Sequence, residues 1–173
     1  MLRLIPPPLH RALLVQAHRL RVVWWRIRKP LLIGCRVLAF DAAGRVLLVR
    51  HSYGSGRWML PGGGVARGEE PVAAALRELA EETGCALRDP REIAVIEEPL
   101  AGTTNRVHVI TGQALGAPQG DGREIVEARF FAPGALPPDL ARQLRANLAD
   151  WIRTAKAGSP PESGRAAHPA HLR

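Results

Sequence analysis

The 23 residues from Gly63 to Cys85 contain five carboxylates and four glycines. The glycines of the first half favour a loop, since glycine reaches backbone dihedrals that other residues avoid. The second half has the signals of a helix, with Pro71 in the first turn and Gly84 directly after the last. We therefore predict a glycine-rich loop that leads into an acidic helix.

Three acidic side chains of this helix share one side. At about 100° per residue, Glu78, Glu81 and Glu82 fall within an arc of roughly 100°. The opposite side carries residues suited to pack on a sheet, namely Val72, Leu76, Leu79 and Thr83. A hard divalent cation with oxygen ligands, Mg²⁺ or Mn²⁺, would relieve the repulsion among the carboxylates. A solvated acidic face with Arg77 as a local partner is the alternative.

The preceding loop favours the cation. The fixed positions are Gly63-x5-Glu69-x7-Arg77-Glu78-Leu79-x-Glu81-Glu82-x-Gly84-Cys85. This pattern resembles the Nudix box of the Nudix hydrolase family, with one departure at Cys85, where the family usually has Ile, Leu or Val. Cysteine behaves as a small buried hydrophobe, so the departure is mild. The flanking strands and the closing helix extend the resemblance to about residues 32–156.

The fold implied by the resemblance is of the α/β class, a Nudix-type α/β/α sandwich with a mixed β-sheet. An N-terminal amphipathic helix is added by the residue pattern. The predicted strands are Leu31–Phe40, Arg45–His51, Trp58–Leu60, Arg91–Glu97, Arg106–Leu115 and Ile125–Phe131, and the closing helix is Pro137–Lys156. Glu97, Glu98 and the residues through Asn105 are expected between two strands.

The chain length fits one domain with flanking segments. We predict a basic amphipathic helix within residues 1–30, a Nudix hydrolase domain over 31–157 and a disordered tail over 158–173. The cysteines, Cys35 and Cys85, give neither a disulfide framework nor a metal pattern. No membrane-spanning run or secretory signal is evident, so we expect a cytoplasmic protein.

The net charge of +8 is concentrated at the N-terminus. Residues 1–40 contain eight Arg or Lys and no acid. A helix over Leu9–Arg28 has three open interpretations: packing on its own domain or on a second subunit as a homodimer, binding at a membrane surface, or contact with RNA or polyphosphate. The rest of the chain is neutral, so binding to nucleic acid is the less favoured partner class.

The family resemblance implies roles for the box residues. Glu82 is expected to be a primary metal ligand, with Glu78 and Glu81 completing one or more Mg²⁺ sites. The Gly62 carbonyl is expected to add a ligand, and Glu69 to tie the loop to the helix and reach the metal through water. Arg77 is expected to orient a box carboxylate through a bidentate pair.

The remaining assignments stay open at this stage. The general base is Glu78, Glu98 or Glu127, because in this family it lies either in the box or on a separate loop. Candidates for contact with substrate phosphates or a base are Arg50, His51, Tyr53 and Arg57.

The predicted activity is Mg²⁺-dependent hydrolysis of the pyrophosphate linkage of a nucleoside diphosphate joined to another moiety. The neutral body favours a small nucleotide or nucleotide sugar over RNA. Two alternatives are a non-catalytic nucleotide-binding regulatory module, and a membrane-associated hydrolase of a lipid-linked diphosphate that uses the basic helix.

Overall fold

The structure, a computed structural model, describes residues 32–100, 103–120, 122 and 124–158. Eight elements lie in this part of the chain. In order they are β1 (Leu32–Phe40), β2 (Val46–His51), β3 (Trp58–Met59), α1 (Pro71–Thr83), β4 (Ala86–Leu100), β5 (Thr103–Leu115), β6 (Ile125–Phe131) and α2 (Arg142–Ala157).

The strands form one mixed sheet in the order β3-β2-β1-β5-β4, with β6 also paired to β2. β1 and β5 run parallel along their whole shared length, from Leu32 opposite Asn105 to Phe40 opposite Gln113. The other pairings are antiparallel. β1 meets β2 only at Phe40 and Val46, so the two strands diverge toward the end of the sheet that faces the glycine-rich loop.

Within the described residues one helix covers each face of the sheet, because apolar residues alternate along the central strands. Cys35, Val37 and Ala39 of β1 belong to the core cluster that contains the buried face of α1. Leu38 belongs to the opposite cluster, which is closed by Trp151 and other residues of α2. These are the layers of the predicted α/β/α sandwich, which is thereby confirmed.

Helix α1 has the predicted ends. It begins at Pro71, which occupies the first turn, and it ends before Gly84, whose φ of 70° is the left-handed conformation typical of a helix stop. The Gly84 N–H closes the helix by donating to the Ala80 carbonyl at 2.9 Å.

The predicted bounds of three elements are wrong. β5 begins at Thr103 and not at Arg106, so Asn105 lies within a strand. β4 runs over Ala86–Leu100 instead of Arg91–Glu97, so Glu97 and Glu98 lie within a strand and not in a connection. The strand continues because its last residues pair with β5, where Glu98 lies opposite Asn105. Helix α2 begins at Arg142 and not at Pro137, since the residues before it pair with Trp58: the Trp58 N–H donates to Asp139, and its carbonyl accepts from Ala141.

The N-terminal helix predicted within residues 1–30 lies outside the described residues, as does the tail beyond residue 158. The homodimer and the membrane contact proposed for that helix therefore stay predictions. Within the ranges that the structure covers, neither helix has the length and apolar character needed to cross a membrane.

Candidate functional site

The glycine-rich loop is attached to the central sheet. The Cys35 N–H donates to the Gly63 carbonyl at 2.9 Å, and the Val37 N–H donates to the Pro61 carbonyl at 2.8 Å. A third hydrogen bond runs in the opposite direction, from the Val65 N–H to the Ile33 carbonyl at 3.0 Å. The loop therefore takes the place beside β1 that β2 leaves as the two strands diverge.

Gly62 is required at its position by a close approach. Its φ is 146°, and a Cβ there would lie 2.2 Å from the Cys35 carbonyl oxygen and 2.9 Å from the Arg36 Cα. Only glycine lacks the atom that would collide with this backbone. The Gly62 N–H is thereby free to point at helix α1, where it donates to Glu82 Oε2 at 3.0 Å.

Glu82 is buried, with only 6% of its surface exposed. Its Oε1 lies 3.8 Å from Nε2 of His51, at the end of β2. A charged group is costly to bury unless polar partners surround it. The burial of Glu82 between the loop and β2 therefore indicates a site built around this carboxylate.

Glu78 lies one turn earlier, directly beneath Gly63. A Cβ on Gly63 would come within 2.5 Å of the Glu78 carboxyl carbon and Oε1. Burial raises the pKa of Glu78, and the neighbouring Arg77 opposes the shift. Glu78 and Glu82 thus converge on two adjacent glycines of the loop.

Arg77 clamps the loop to the helix. Its Nε and Nη2 donate to the two oxygens of Glu69, each at 3.0 Å, and its Nη1 donates to Glu78 at 2.7 Å. Nη2 also reaches the Gly64 carbonyl at 3.2 Å. Glu69 in turn accepts from the Ala66 N–H at 2.8 Å. The hydrogen bonds from Arg77 lower the pKa of Glu69 below its ordinary value.

Glu81 differs from its two neighbours. Its side chain is 64% exposed and lies 3.5 Å from Arg77 Nη1. The predicted common acidic face is therefore divided: Glu81 faces solvent, while Glu82 is buried beside Leu79 and Thr83. Among the described residues, no three His, Cys, Asp or Glu side chains stand together as a metal-ligand group.

Arg50 and Glu127 meet on the sheet. They are directly opposite in the β2–β6 pairing, with Arg50 Nε 3.9 Å from Glu127 Oε2. Arg50 also donates to Asp139 at 2.8 Å, and its guanidinium lies 4.7 Å from the centre of the Trp58 ring. Glu127 has a second partner in Arg129, at 2.7 Å.

The other substrate-contact candidates lie at the end of β2 or beyond it. The His51 and Tyr53 rings are 5.2 Å apart, and the Tyr53 hydroxyl donates to Glu124 at 2.6 Å. Arg57 is exposed and lines a cleft of about 380 Å³ together with Pro138, Asp139, Leu140, Arg142 and Arg145. His51 is thus the candidate that the structure places against a box carboxylate.

Glu98 lies in an ion pair inside the sheet. It accepts from Arg36 Nη2 at 2.5 Å, and the two side chains are only 9% and 16% exposed. Arg36 Nη1 and Glu98 Oε2 are buried without a hydrogen-bond partner among the described residues. An unsatisfied buried polar atom costs about 1–3 kcal/mol. Sequence reasoning missed Arg36, although a charged residue within an apolar strand is a visible signal.

The candidate residues therefore fall into two groups. The box group consists of Glu69, Arg77, Glu78 and Glu82 with the loop Gly62–Gly64. The strand group consists of Arg36, Glu98, Arg50, Glu127 and Asp139. The catalytic and metal-binding roles of all these residues stay predictions.

The fold and the box group together define a class of protein. It is an α/β/α sandwich in which an acidic helix is clamped to a glycine-rich loop on the central sheet. Such a surface suits chemistry on phosphates, because the loop offers backbone groups and the helix offers carboxylates for a cation.

Comparison with known proteins identifies the family. The family model described as the NUDIX domain matches residues 30–153. The chain is 32% identical over 116 residues to "Putative 8-oxo-dGTP diphosphatase" of Bacillus subtilis, covering 64% of this chain and 76% of that protein. It is 41% identical over 132 residues to "Putative 8-oxo-dGTP diphosphatase 2" of Mycobacterium tuberculosis, covering 69% and 89%.

A solved structure agrees with this match. The crystal structure of a MutT NUDIX hydrolase from Burkholderia pseudomallei has a TM-score of 0.63 and 28% sequence identity, covering 69% of this chain and 97% of that one. The chain belongs to the Nudix family. The predicted family and its pyrophosphohydrolase class are confirmed.

Proposed function

We propose that the chain hydrolyses the pyrophosphate linkage of a small nucleotide, a nucleoside diphosphate joined to another moiety, with Mg²⁺. The observation that carries this proposal is the convergence of two carboxylates on the loop. Glu82 accepts the Gly62 N–H, and Glu78 lies beneath Gly63. The buried Glu82 and the half-buried Glu78, beside an open glycine backbone, are suited to a cation and its phosphate ligand.

The donor set fits Mg²⁺. Glu78 and Glu82 would hold the ion with the Gly62 carbonyl, and Glu69 would reach it through water. Glu81, which is 64% exposed, would have to turn from solvent to complete the set. All are oxygen donors, which hard cations prefer, and Mn²⁺ is the nearest substitute. When bound, such an ion neutralises phosphate charge and lowers the pKa of water.

The chain's own residues do the remaining work. Arg77 fixes Glu78 and the loop through its bonds to Glu69, so the carboxylates are positioned before substrate arrives. We assign the proton acceptor to Glu78 and not to Glu98 or Glu127. Glu78 lies one turn from Glu82 on the same helix and beneath Gly63, whereas Glu98 and Glu127 lie outside the box group, paired with Arg36 and Arg129.

We favour nucleoside triphosphates as the substrate class. Two relatives bear the name "Putative 8-oxo-dGTP diphosphatase" or "Putative 8-oxo-dGTP diphosphatase 2". This chain matches 76% and 89% of their lengths. We assign contacts with the nucleotide to Arg50, His51, Tyr53 and Arg57, which lie at or beyond the end of β2.

A substrate screen tests the proposal. The purified protein is incubated with nucleoside triphosphates, nucleotide sugars, dinucleoside polyphosphates and triphosphorylated RNA, each with Mg²⁺ and with chelator. We expect metal-dependent release of pyrophosphate or phosphate from triphosphates. Turnover that persists in chelator would refute the metal assignment.

Two outcomes would favour the alternatives. Nucleotide binding without turnover would indicate a non-catalytic regulatory module. Turnover of an isoprenoid diphosphate in place of nucleotides would indicate a lipid-linked substrate, and would give the basic N-terminal segment a role at membranes.

We further propose that residues 31–157 are the catalytic unit, with 1–30 and 158–173 as flanking segments. The family match over residues 30–153 supports this division. Deletion of residues 1–29 should leave kcat for the preferred nucleotide within about threefold. An insoluble product would instead indicate that the N-terminal segment packs on the domain.

A further inference from the structure

A cleft lined by arginines lies at the start of α2, outside the box group. Its volume is about 380 Å³, and its lining residues are Arg57, Pro138, Asp139, Leu140, Arg142 and Arg145. We call it the arginine cleft. All of its charged residues are exposed, so a ligand can reach them from solvent. A cleft of this volume is large enough for a small molecule.

The arginine cleft has an excess of positive charge. Its carboxylate, on Asp139, already accepts a hydrogen bond from Arg50 at 2.8 Å, and Arg50 is not part of the lining. Within the part of the chain that the structure describes, neither Arg57 nor Arg142 forms an ion pair. Three like charges around one cleft repel one another, and a bound anion would relieve that repulsion.

The local backbone adds to the positive charge. Arg145 is held at the cleft because its guanidinium donates to the Pro138 carbonyl, which is neutral. Among the described residues, no side chain caps α2 at Ala141, and the first turn of the helix has no acid. A helix N-terminus carries partial positive charge, which carboxylates usually offset and which arginines increase. The arginine cleft therefore lacks the anion that both its side chains and its helix favour.

The arginine cleft and the box carboxylates lie on opposite faces of the sheet, at the same end of β2. Arg50 and His51 are consecutive: Arg50 reaches Asp139 of the cleft, whereas His51 Nε2 lies 3.8 Å from Glu82. Leu140, which lines the cleft, belongs to the core cluster closed by α2. The cleft is thus separate from the predicted metal ligands.

We propose that the arginine cleft binds a phosphate group without a metal ion. The planar fork of an arginine matches two oxygens of a phosphate or a carboxylate. A carboxylate has only one charge, whereas a phosphate group has about two charges and three acceptor oxygens, which can engage several arginines together. The phosphate has two possible sources, the phosphate chain of a bound nucleotide and free phosphate or pyrophosphate. Only the first source rests on the proposed hydrolase activity, and it would be the contact assigned to Arg57.

The test titrates the full-length protein with inorganic pyrophosphate in chelator, at constant ionic strength, by isothermal titration calorimetry. Without a divalent cation the box carboxylates repel the anion, so binding reports on metal-free sites. Arg142→Gln should weaken binding by about tenfold or more, the effect of losing a hydrogen bond between charged groups. Arg142→Glu should abolish binding. Succinate, which offers carboxylates in place of phosphates, should not compete in the wild type.

A matched control lies on the same helix. Arg153 is 77% exposed and pairs with Asp150, and it does not line the cleft. Arg153→Gln should bind pyrophosphate as the wild type does. Thermal unfolding without pyrophosphate checks that each variant is folded. Arg57→Gln provides a second variant on a different segment, and it should weaken binding to a similar degree.

Steady-state kinetics with Mg²⁺ distinguish the two sources. If the phosphate chain of the nucleotide occupies the arginine cleft, Arg142→Gln should raise KM by about tenfold with little change in kcat. If free phosphate or pyrophosphate occupies it, KM should be unchanged although pyrophosphate binding in chelator is lost. Either result supports a phosphate site at the cleft.

Four results would overturn the proposal. They are no binding of pyrophosphate in chelator, equal binding by wild type and Arg142→Gln, an equal loss in Arg153→Gln, and effective competition by succinate. Equal binding by Arg142→Gln would place the anion elsewhere, with the basic residues 1–40 as the nearest candidate. Because the titration needs neither metal nor turnover, its failure is distinct from failure of the proposed function, which would appear as no hydrolysis of any nucleotide.

Discussion

The box group and the strand group are assembled over different distances along the chain. Arg77 and Glu69 are 8 residues apart, and Gly62 and Glu82 are 20 apart. In the strand group, Arg36 meets Glu98 across 62 residues, and Arg50 meets Asp139 across 89. The residues of the box group belong to one continuous stretch of sequence. The residues of the strand group come into contact only when the sheet forms.

This difference suggests a division of labour. A local motif can keep the reaction centre intact while the strands around it change. Residues brought together by strand pairing can vary one at a time, which suits the selection of substrates. Variants that remove or displace the carboxylates of the box group should therefore affect turnover of every substrate, whereas variants of the strand group should affect the choice among them.

The largest effect is expected from Glu82→Gln. Loss of the charge should reduce kcat by about 10²-fold or more for all nucleotides, since a preorganised electrostatic element is removed. Steady-state kinetics with Mg²⁺ provide the measurement. Glu70→Gln is the matched control, because Glu70 lies in the same motif and its side chain makes no capping hydrogen bond. Near-normal turnover of Glu82→Gln would refute the metal assignment.

Gly63→Ala should cost about tenfold or more in kcat. Its new Cβ would displace the Glu78 carboxylate, from which it would be only 2.5 Å away. Gly64→Ala is the control, since no atom lies within 4 Å of a Cβ there. If the two variants are equally active, the position of Glu78 does not matter for turnover.

Arg77→Lys should reduce activity by roughly tenfold, because lysine cannot form the bidentate pair with Glu69. It should also change the dependence of stability on pH. The depressed pKa of Glu69 stabilises the wild type above the ordinary carboxyl pKa, and this contribution is lost as pH falls through the lower folded-state value. Thermal unfolding from pH 3 to 7 should show the variant and wild type converging at the acid end. A constant difference would contradict the clamp.

Glu127→Gln should have the smallest effect, within about threefold in kcat. Glu127 pairs with Arg129 and lies near Arg50, outside the box group. Single-turnover rates across pH would check this. A loss near 10²-fold with a shifted acid limb of the pH–rate profile would instead transfer the general base to Glu127.

The limits of prediction follow the same division. The ends of α1 follow from Pro71 and Gly84, which act within their own turn. The start of α2 was misplaced, because the pairing of Asp139 and Ala141 with Trp58 depends on residues far away in sequence. β4 was likewise predicted too short, since its extension depends on its partner β5 and not on its own composition.

The candidate site could likewise be predicted from the sequence only in part. The box residues could be named from spacing, but the burial of Glu82 against His51 could not, because β2 supplies the partner. Arg36 illustrates the converse. Its charge is conspicuous within β1, yet its partner Glu98 becomes identifiable only from the strand register.

The attachment of the loop to β1 also constrains motion during turnover. Because Pro61 and Gly63 accept hydrogen bonds from Val37 and Cys35, the loop cannot swing open without breaking its pairing with β1. It is therefore a fixed wall of the site and not a lid. The amide hydrogens of Cys35 and Val37 should accordingly exchange with solvent only as fast as the whole domain unfolds.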